Sequence, residues 1–536
     1  MDNCLTPPKL PKLPLGQHTF RKLRERGFLY IDKTDLVLQL IEEGDGYFLN
    51  RPRRMGKSLL ISVLEALFEG RRELFEGLAI ADSDYDFKPY PVIRLDFGSI
   101  AMQPLELYKS DLCDELRRIA AEHGLPDIKG TIPSRLLINL VTTLAEKEQV
   151  VLLIDEYDQP IQHNLETPEQ TRPYLDFLKS FYTVVKSLQP YLRFTFVTGV
   201  SRFSKTTIFS GMNHLKDLSL RAAYAALLGI TEEEITQELL PWVRRIAASQ
   251  QQSEAEIREL MRCWYNGYRF AGEPTAASVY NPHSLFSFLE EGKLVNYWFS
   301  TGTPSFILDL IRQEQYPVVD FEAGVTVFDS ELRDSFDADH IDLITLLYQT
   351  GYLTISHYDA TSDEYTLHFP NEEVRRSFFK CLSPLFFGTS STQSRITMKD
   401  IAHGLRTGDV NPIIAACNLM LGQLSHHLQR RDEAYYHSLA FVMLSIIGFP
   451  VEAEKSGCKG RLDMSLRIGN RAYILEFKRD SSAAAAMRQI HEKQYARAYA
   501  GKGLQIYLVG INVNSTSCSI DDWIVERAQM LPLQQP

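Results

Sequence analysis

No Cys-x-x-Cys pair occurs in this sequence, and its seven cysteines (Cys4, Cys113, Cys263, Cys381, Cys417, Cys458 and Cys518) are scattered. An odd, dispersed set argues against a disulfide framework or a zinc site and for a reducing cytosol. No apolar run approaches the length of a membrane span, and the first residues lack the apolar stretch of a secretory leader. The expectation is therefore a cytoplasmic protein with no membrane partner. Excess basic charge is missing too. The net charge is −11, so contact with nucleic acid has to come from local basic patches rather than a general coating. There is no internal repeat and no long low-complexity segment. With 44% hydrophobic and 23% charged residues, the 536-residue chain is globular and long enough for two to four domains.

Four apolar strands are expected at 46–50, 91–97, 150–154 and 192–197, separated by helical stretches. That alternation predicts a parallel α/β sheet, and the unbroken apolar run at 150–154 fits a strand buried on both faces. Between the first strand and a helix with apolar spacing (Leu59, Leu60, Val63, Leu64, Leu67) lies Arg51-Pro-Arg-Arg-Met-Gly-Lys-Ser58. Its end matches a phosphate-binding Walker A loop in the strand–loop–helix setting that the motif requires. The loop and first helical turn (Arg53, Arg54, Met55, Gly56, Lys57, Ser58 and Leu59) would cradle the phosphates of ATP. Lys57 would reach the β- and γ-phosphates and Ser58 would ligate Mg²⁺. Arg51 stands where the motif has its first glycine, so a basic surface loop at a helix start is the alternative. A second signal is Val150-Val-Leu-Leu-Ile-Asp155-Glu156, a buried strand delivering Asp155 to Mg²⁺ and Glu156 to a water. Its alternative is a strand ending in solvated acids. After the fourth strand, Thr198 is a candidate sensor of the γ-phosphate. Arg202 is a candidate arginine finger, acting in cis or across an oligomer interface, or else an ordinary surface arginine.

Residues 220–330 read as mostly helical. From 341 to 379 a helix ending at Gly351, two strands around a polar turn and a further helix suggest a winged-helix module. A linker is expected at 383–394. Beyond it come helices, the last at 433–447, a strand at 451–455, a hairpin, a helix at 482–500 and a strand at 504–511. This α-β-β-β-α-β order is a compact mixed-sheet unit. The hairpin is Arg461-Leu-Asp-Met-Ser-Leu-Arg-Ile468, Gly469-Asn470, Arg471-Ala-Tyr-Ile-Leu-Glu-Phe-Lys478. Gly-Asn signals a two-residue turn. Ile468 then faces Arg471, and counting back sets Asp463 opposite Glu476, with Lys478 on the same face as Glu476. Opposed carboxylates destabilise a sheet unless a divalent cation lies between them. Asp463 and Glu476 would hold Mg²⁺ or Mn²⁺. Glu454 is a further candidate ligand, and Lys478 would orient the attacking water or offset charge on a phosphate. The alternative is a hairpin with exposed salt bridges. Gln489 and Lys493 share a face of the next helix that could turn to this site, but a solvated helix face is the favoured reading of that pair.

Two resemblances follow from these motifs. Phe28-Leu-Tyr-Ile-Asp-Lys-Thr34, Arg51 to Ser58, Leu153-Ile-Asp-Glu-Tyr-Asp158, Thr198-Gly-Val-Ser-Arg-Phe-Ser-Lys205, Trp264-Tyr-Asn-Gly-Tyr-Arg-Phe270 and Tyr280-Asn-Pro282 resemble the predicted AAA-like ATPases of bacteria and archaea. That family has Arg-Pro-Arg-Arg in place of the glycine-rich start. Gly460-Arg-Leu-Asp463 with Glu476-Phe-Lys478 resembles the PD-(D/E)XK nuclease superfamily, with Leu462 in place of its proline. The resemblance implies Lys57, Ser58, Asp155 and Glu156 as the ATPase set and Asp463, Glu476 and Lys478 as the nuclease set. With the segment pattern read above, the expected domains are an ATPase core at 1–220, a helical lid at 221–335, a winged-helix-like segment at 336–382 and a nuclease-like domain at 395–536. The expected function is an ATP-regulated, Mg²⁺-dependent nuclease acting on nucleic acid, DNA before RNA, with a homo-oligomer and a role in defence against foreign DNA as further expectations. The rival reading is a nucleotide-switched signalling or scaffold protein whose C-terminal domain binds nucleic acid without cutting it.

Overall fold

The computed structural model describes residues 10–101, 104–162, 168–202, 213–298, 324–333, 342–387, 391–423, 464–499 and 503–528, with short pieces between. The chain divides into two compact units. Residues 1–300 and 326–373 make the first; 301–325 and 374–536 make the second. Among the described residues no helix is long and apolar enough to cross a membrane.

The first unit holds an all-parallel sheet of β1 (Gly46–Asn50), β2 (Val92–Asp96), β3 (Val150–Asp155), β4 (Leu192–Gly199) and β5 (Lys216–Asp217). Their spatial order is β2-β3-β4-β1-β5. This is the expected α/β sheet with one strand more, since two residues of β5 leave no periodicity to read. Every residue of β1 and β3 is buried, as in strands covered on both faces. With β4 inserted between β1 and β3, three adjacent strand ends carry the Arg51 loop, Thr198 and Asp155. Ligand crevices of open parallel sheets form outside such carboxyl ends.

Helices Leu240–Gln250, Glu254–Tyr265 and Pro282–Glu291 follow. Ser253 and Glu256 form a reciprocal capping box, while Asn281 caps the last helix and left-handed Gly292 closes it. Their apolar faces share a core of Trp242, Ile257, Met261, Tyr265, Leu285 and Phe288 with Leu13 and Leu29 from the arm before β1. Lys33 of that arm also pairs with Glu234 at 2.5 Å. The helical region is thus tied to the N-terminal arm.

Helix Leu343–Thr350 ends at left-handed Gly351, and strands Thr354–Asp359 and Glu364–His368 precede helix Glu372–Phe387. A third strand, Val325–Phe328, joins the hairpin beside Glu364–His368. The linker expected at 383–394 is largely helix, because one helix runs to Phe387 and the next starts at Ser391. Phe378, Phe379 and Leu382 are buried, and burial of this apolar face outweighs the Ser/Thr/Pro composition.

In the second unit, strands Val451–Ala453, Met464–Ile468, Arg471–Arg479, Gln505–Asn514 and Ser519–Arg527 lie side by side in that order. The hairpin has the expected register, Ile468 opposite Arg471 and Met464 opposite Leu475, around Gly469 at φ +55°. Helix Ala483–Lys493 connects the parallel pair Arg471–Arg479 and Gln505–Asn514. It stops short of residue 500, where left-handed Gln494 closes it. The final strand was not expected, since Asp521, Asp522, Glu526 and Arg527 mask its alternation. The helix expected at 433–447 lies almost wholly outside the described residues.

Gly267 has φ +100°, and a Cβ there would run into the Pro370 carbonyl oxygen. Gly77 has φ +74° with open space around it. Gly77→Ala is expected to cost about 1–2 kcal/mol for the left-handed backbone alone. Gly267→Ala must also displace rigid backbone and is expected to cost about 3 kcal/mol or more. Urea denaturation of both variants checks this; equal losses would mean that the chain does not pass so close at Gly267.

Candidate functional site

The Arg51 loop bends at Arg54 (φ +66°) and Gly56 (φ +104°) into helix Lys57–Phe68. The first-turn N–H groups of such a helix have no intrahelical partner and favour anions. Lys57 is buried, and its ammonium donates to the carbonyls of Arg51 (2.8 Å) and Pro52 (2.9 Å). Burial pulls it down to about 8, while Asp155, Asp158 and Glu156 draw it back up.

Asp155 is buried at the end of β3. Its Oδ1 accepts the Glu156 N–H at 3.0 Å, and its buried Oδ2 has no hydrogen-bond partner among the described residues. A buried carboxylate oxygen in that position calls for a cation. Together with the Ser58 hydroxyl it offers the hard-oxygen chemistry that suits Mg²⁺. Glu156 takes a left-handed backbone, φ +49°, and its carboxylate lies over Gly98, where a Cβ would collide with it. Burial, then the charge of Asp155, raises the Glu156 carboxyl.

Two further acids escaped the sequence reading. Asp96 ends β2 in register with Asp155, and burial followed by the Asp155 charge raises its carboxyl. The signal was present, since Asp96 closes an apolar run as Asp155 does. Asp158, also buried, accepts the N–H groups of Val200 (3.1 Å) and Ser201 (2.6 Å) and so braces the end of β4. Nothing in its local pattern announces that role.

Thr198 is wholly buried, and its hydroxyl donates to the Leu49 carbonyl at 2.8 Å, which stitches β4 to β1. Arg202 forms an ion pair with Asp217 of β5 at 2.9 Å, and its N–H donates to Gln349. Arg51 points away from the loop mouth. Its guanidinium is buried, donates to the carbonyls of Asn50 (2.9 Å) and Ser219 (2.8 Å), and stands 4.0 Å over the Phe270 ring. Arg53 and Arg54 are exposed, beside Gln162 and His283 respectively. Met55 is buried with its sulfur 3.4 Å from Asn281 Nδ2. The Arg53 carbonyl accepts Asn281 Nδ2 (3.4 Å) and the Trp298 indole N–H (3.3 Å). Tyr297 and Trp298 donate their backbone N–H groups to Glu373 Oε1 at 2.6 and 2.8 Å. Burial lifts the Glu373 carboxyl to about 7 against the pull of these donors.

In the second unit, Glu476 is wholly buried on the central strand. Lys478 Nζ lies 3.4 Å from Glu476 Oε1 and 3.0 Å from the Phe477 carbonyl, so the acid and the lysine do share a face. Gln489 also donates to Glu476 Oε1. The solvated-face reading is therefore corrected for Gln489, while Lys493 is exposed. Gln489 can reach Glu476 because the strand neighbour of Glu476 is Gly510. A Cβ at Gly510 would come 2.6 Å from the Ala483 carbonyl and 2.9 Å from the Met487 nitrogen, so only glycine lets the helix lie this close. Asp463 and Glu454 lie outside the described residues. The described register of this strand pair runs from Ile468 with Arg471 to Met464 with Leu475, the residue before Glu476.

Comparison with known proteins agrees with both halves. Residues 14–209 match the AAA-ATPase-like family, described as predicted AAA-ATPases. Residues 431–523 match the PD-(D/E)XK nuclease superfamily. The chain is similar to an uncharacterized protein in the vnfD 5' region of Azotobacter chroococcum mcd 1, 33% identical over 529 residues, covering 96% of this chain and 99% of that protein.

The raised Glu373 carboxyl has a pH consequence. Because folding lifts it from the ordinary 4.5 to about 7, the folded state holds the proton more tightly, and this group's stabilising contribution is lost as pH rises through that interval. Glu373→Gln keeps the acceptor oxygen and does not titrate. Urea denaturation is expected to show the variant gaining on the wild type as pH rises from 4.5 to about 7. Parallel stability curves would refute the shift.

Proposed function

This chain belongs to the family that joins a predicted AAA-ATPase domain to a PD-(D/E)XK nuclease domain, and from that premise we propose that it is a nuclease under nucleotide control. In the first unit, the N–H groups from Arg53 to Leu59 would receive the phosphates of ATP, and Lys57 would turn its ammonium from the loop carbonyls to the β- and γ-phosphates. Ser58 and Asp155 would hold Mg²⁺. Glu156, its carboxyl raised by burial, takes the proton of the attacking water. Thr198 keeps β1 and β4 in register beneath the γ-phosphate. Arg202 can serve as a finger only when its pair with Asp217 opens.

In the second unit, Asp463 and Glu476, with Glu454 as a further candidate ligand, would hold Mg²⁺ or Mn²⁺, which would supply positive charge to a scissile phosphate. Gln489 fixes the Glu476 carboxylate, and Lys478 orients the water. The observation that carries this reading is the buried Glu476 with Lys478 and Gln489 converging on one of its oxygens. Nothing in a merely binding surface requires a buried acid held in that way. The substrate is nucleic acid, DNA before RNA, and the winged-helix-like segment either binds it or passes on the nucleotide state. The scattered cysteines, with no Cys-x-x-Cys pair among them, support a cytoplasmic setting. A nuclease switched by ATP, acting as a homo-oligomer, suits conditional destruction of foreign DNA.

The test is cleavage of plasmid, linear and single-stranded DNA and of RNA with Mg²⁺ or Mn²⁺, with and without ATP. Asp463→Ala, Glu476→Gln and Lys478→Met are each expected to slow cleavage about 10²–10⁴-fold. Lys57→Ala is expected to abolish the response to ATP. Nucleotide binding without cleavage of any substrate would favour the signalling switch instead.

A further inference from the structure

Separated segments of the first unit converge on the back of the phosphate loop. Pro52 lies against Gly351, where a Cβ would come 2.6 Å from the Pro52 Cβ. The Arg53 carbonyl takes the Trp298 indole N–H. The Trp298 ring stands edge-on to Tyr352, with centroids 5.1 Å apart. The backbone N–H groups of Tyr297 and Trp298 both bind Glu373, in the first turn of helix Glu372–Phe387. Just before this helix, Asn371 donates to the Asn266 carbonyl at 2.7 Å and Pro370 sits against Gly267. Glu373 is the last residue of the first unit, and from Val374 the same helix belongs to the second.

Building on the nucleotide reading above, we propose that Trp298 and Glu373 are positioning residues that relay movement of the phosphate loop into the helix leading to the second unit. The Arg53 carbonyl and the Arg54 N–H belong to one rigid peptide plane. When the Arg54 N–H turns toward a phosphate, the Arg53 carbonyl turns with it. The indole that donates to this carbonyl must follow or lose its bond. The Trp298 backbone is held in turn by a buried acid, which is costly to strip of its donors. The first turn of the helix therefore moves with the loop. This use of Trp298 and Glu373 explains why an indole and a buried acid stand behind a phosphate loop at all.

The test is hydrogen exchange on the full chain, with and without Mg²⁺ and a non-hydrolysable ATP analogue, beside a binding curve for a fluorescent ATP analogue. Nucleotide is expected to change exchange at 374–387 about fivefold, a coupling of ordinary size. Trp298→Phe keeps the ring packing and removes the N–H. It is expected to bind nucleotide as the wild type does while losing most of that change. Should it fail to fold, Glu373→Gln, which weakens the charge-assisted bonds, is expected to reduce the response with binding intact. Bound nucleotide with unchanged exchange at 374–387 in the wild type would overturn the relay and leave the nucleotide site standing. An undiminished response in both variants would do the same. Failure of the wild type to bind nucleotide would overturn both.

Discussion

A guanidinium buried beneath the Arg51–Ser58 loop is the constraint on which the first unit depends. Loops that wrap phosphates usually rely on glycine to make tight turns without steric cost. Here Gly56 is the one glycine between Arg51 and Ser58. Arg54 takes the left-handed backbone in its place, at a cost of about 1–2 kcal/mol. A loop so composed has to be held from outside. Arg51 does this from below, spanning the carbonyls of Asn50 and Ser219 with its ring partner Phe270. Asn281 and Gly351 do it from behind. Because these contacts come from regions far apart in sequence, the loop cannot take its shape until the helical region and the hairpin segment have folded around it.

The strands and their chemistry were readable where the pattern was long and local. β1 with its loop, β3 with its acids and the Gly469-Asn470 hairpin each announce themselves by an apolar run and a fixed spacing, and the hairpin register followed from the turn alone. What escaped was set by distance or brevity. β5 is two residues long. The last strand carries too many charges on its open edge for its alternation to show. Asp158 has a structural duty that appears only when β4 lies beside it, and Gln489 finds Glu476 only because Gly510 admits the helix. Arg51 read as a departure from a motif; its partner Phe270 is more than two hundred residues away.

The two candidate sites solve one electrostatic problem differently. At Lys57 a buried cation is surrounded by several acids and by its own loop carbonyls, so its charge is kept inside at the expense of a lowered proton affinity. At Glu476 a buried carboxyl group meets the Lys478 ammonium and the Gln489 amide at the same oxygen. In each case the burden of desolvation is met by donors and acceptors already aimed at the buried group, so its surroundings are organised in advance.

The division of the chain bears on how the protein is made. The backbone leaves the first unit after residue 300, returns at 326 and leaves it for good after 373. During synthesis the parallel sheet emerges early, but the segment that closes its unit emerges only after a piece of the other unit has already left the ribosome. The stretch 301–325 must then wait for the remaining residues of its own unit. Neither half is a simple beginning or end of the polypeptide, so a stop codon placed anywhere before residue 373 would release an unfinished first unit, even when the whole parallel sheet has been made.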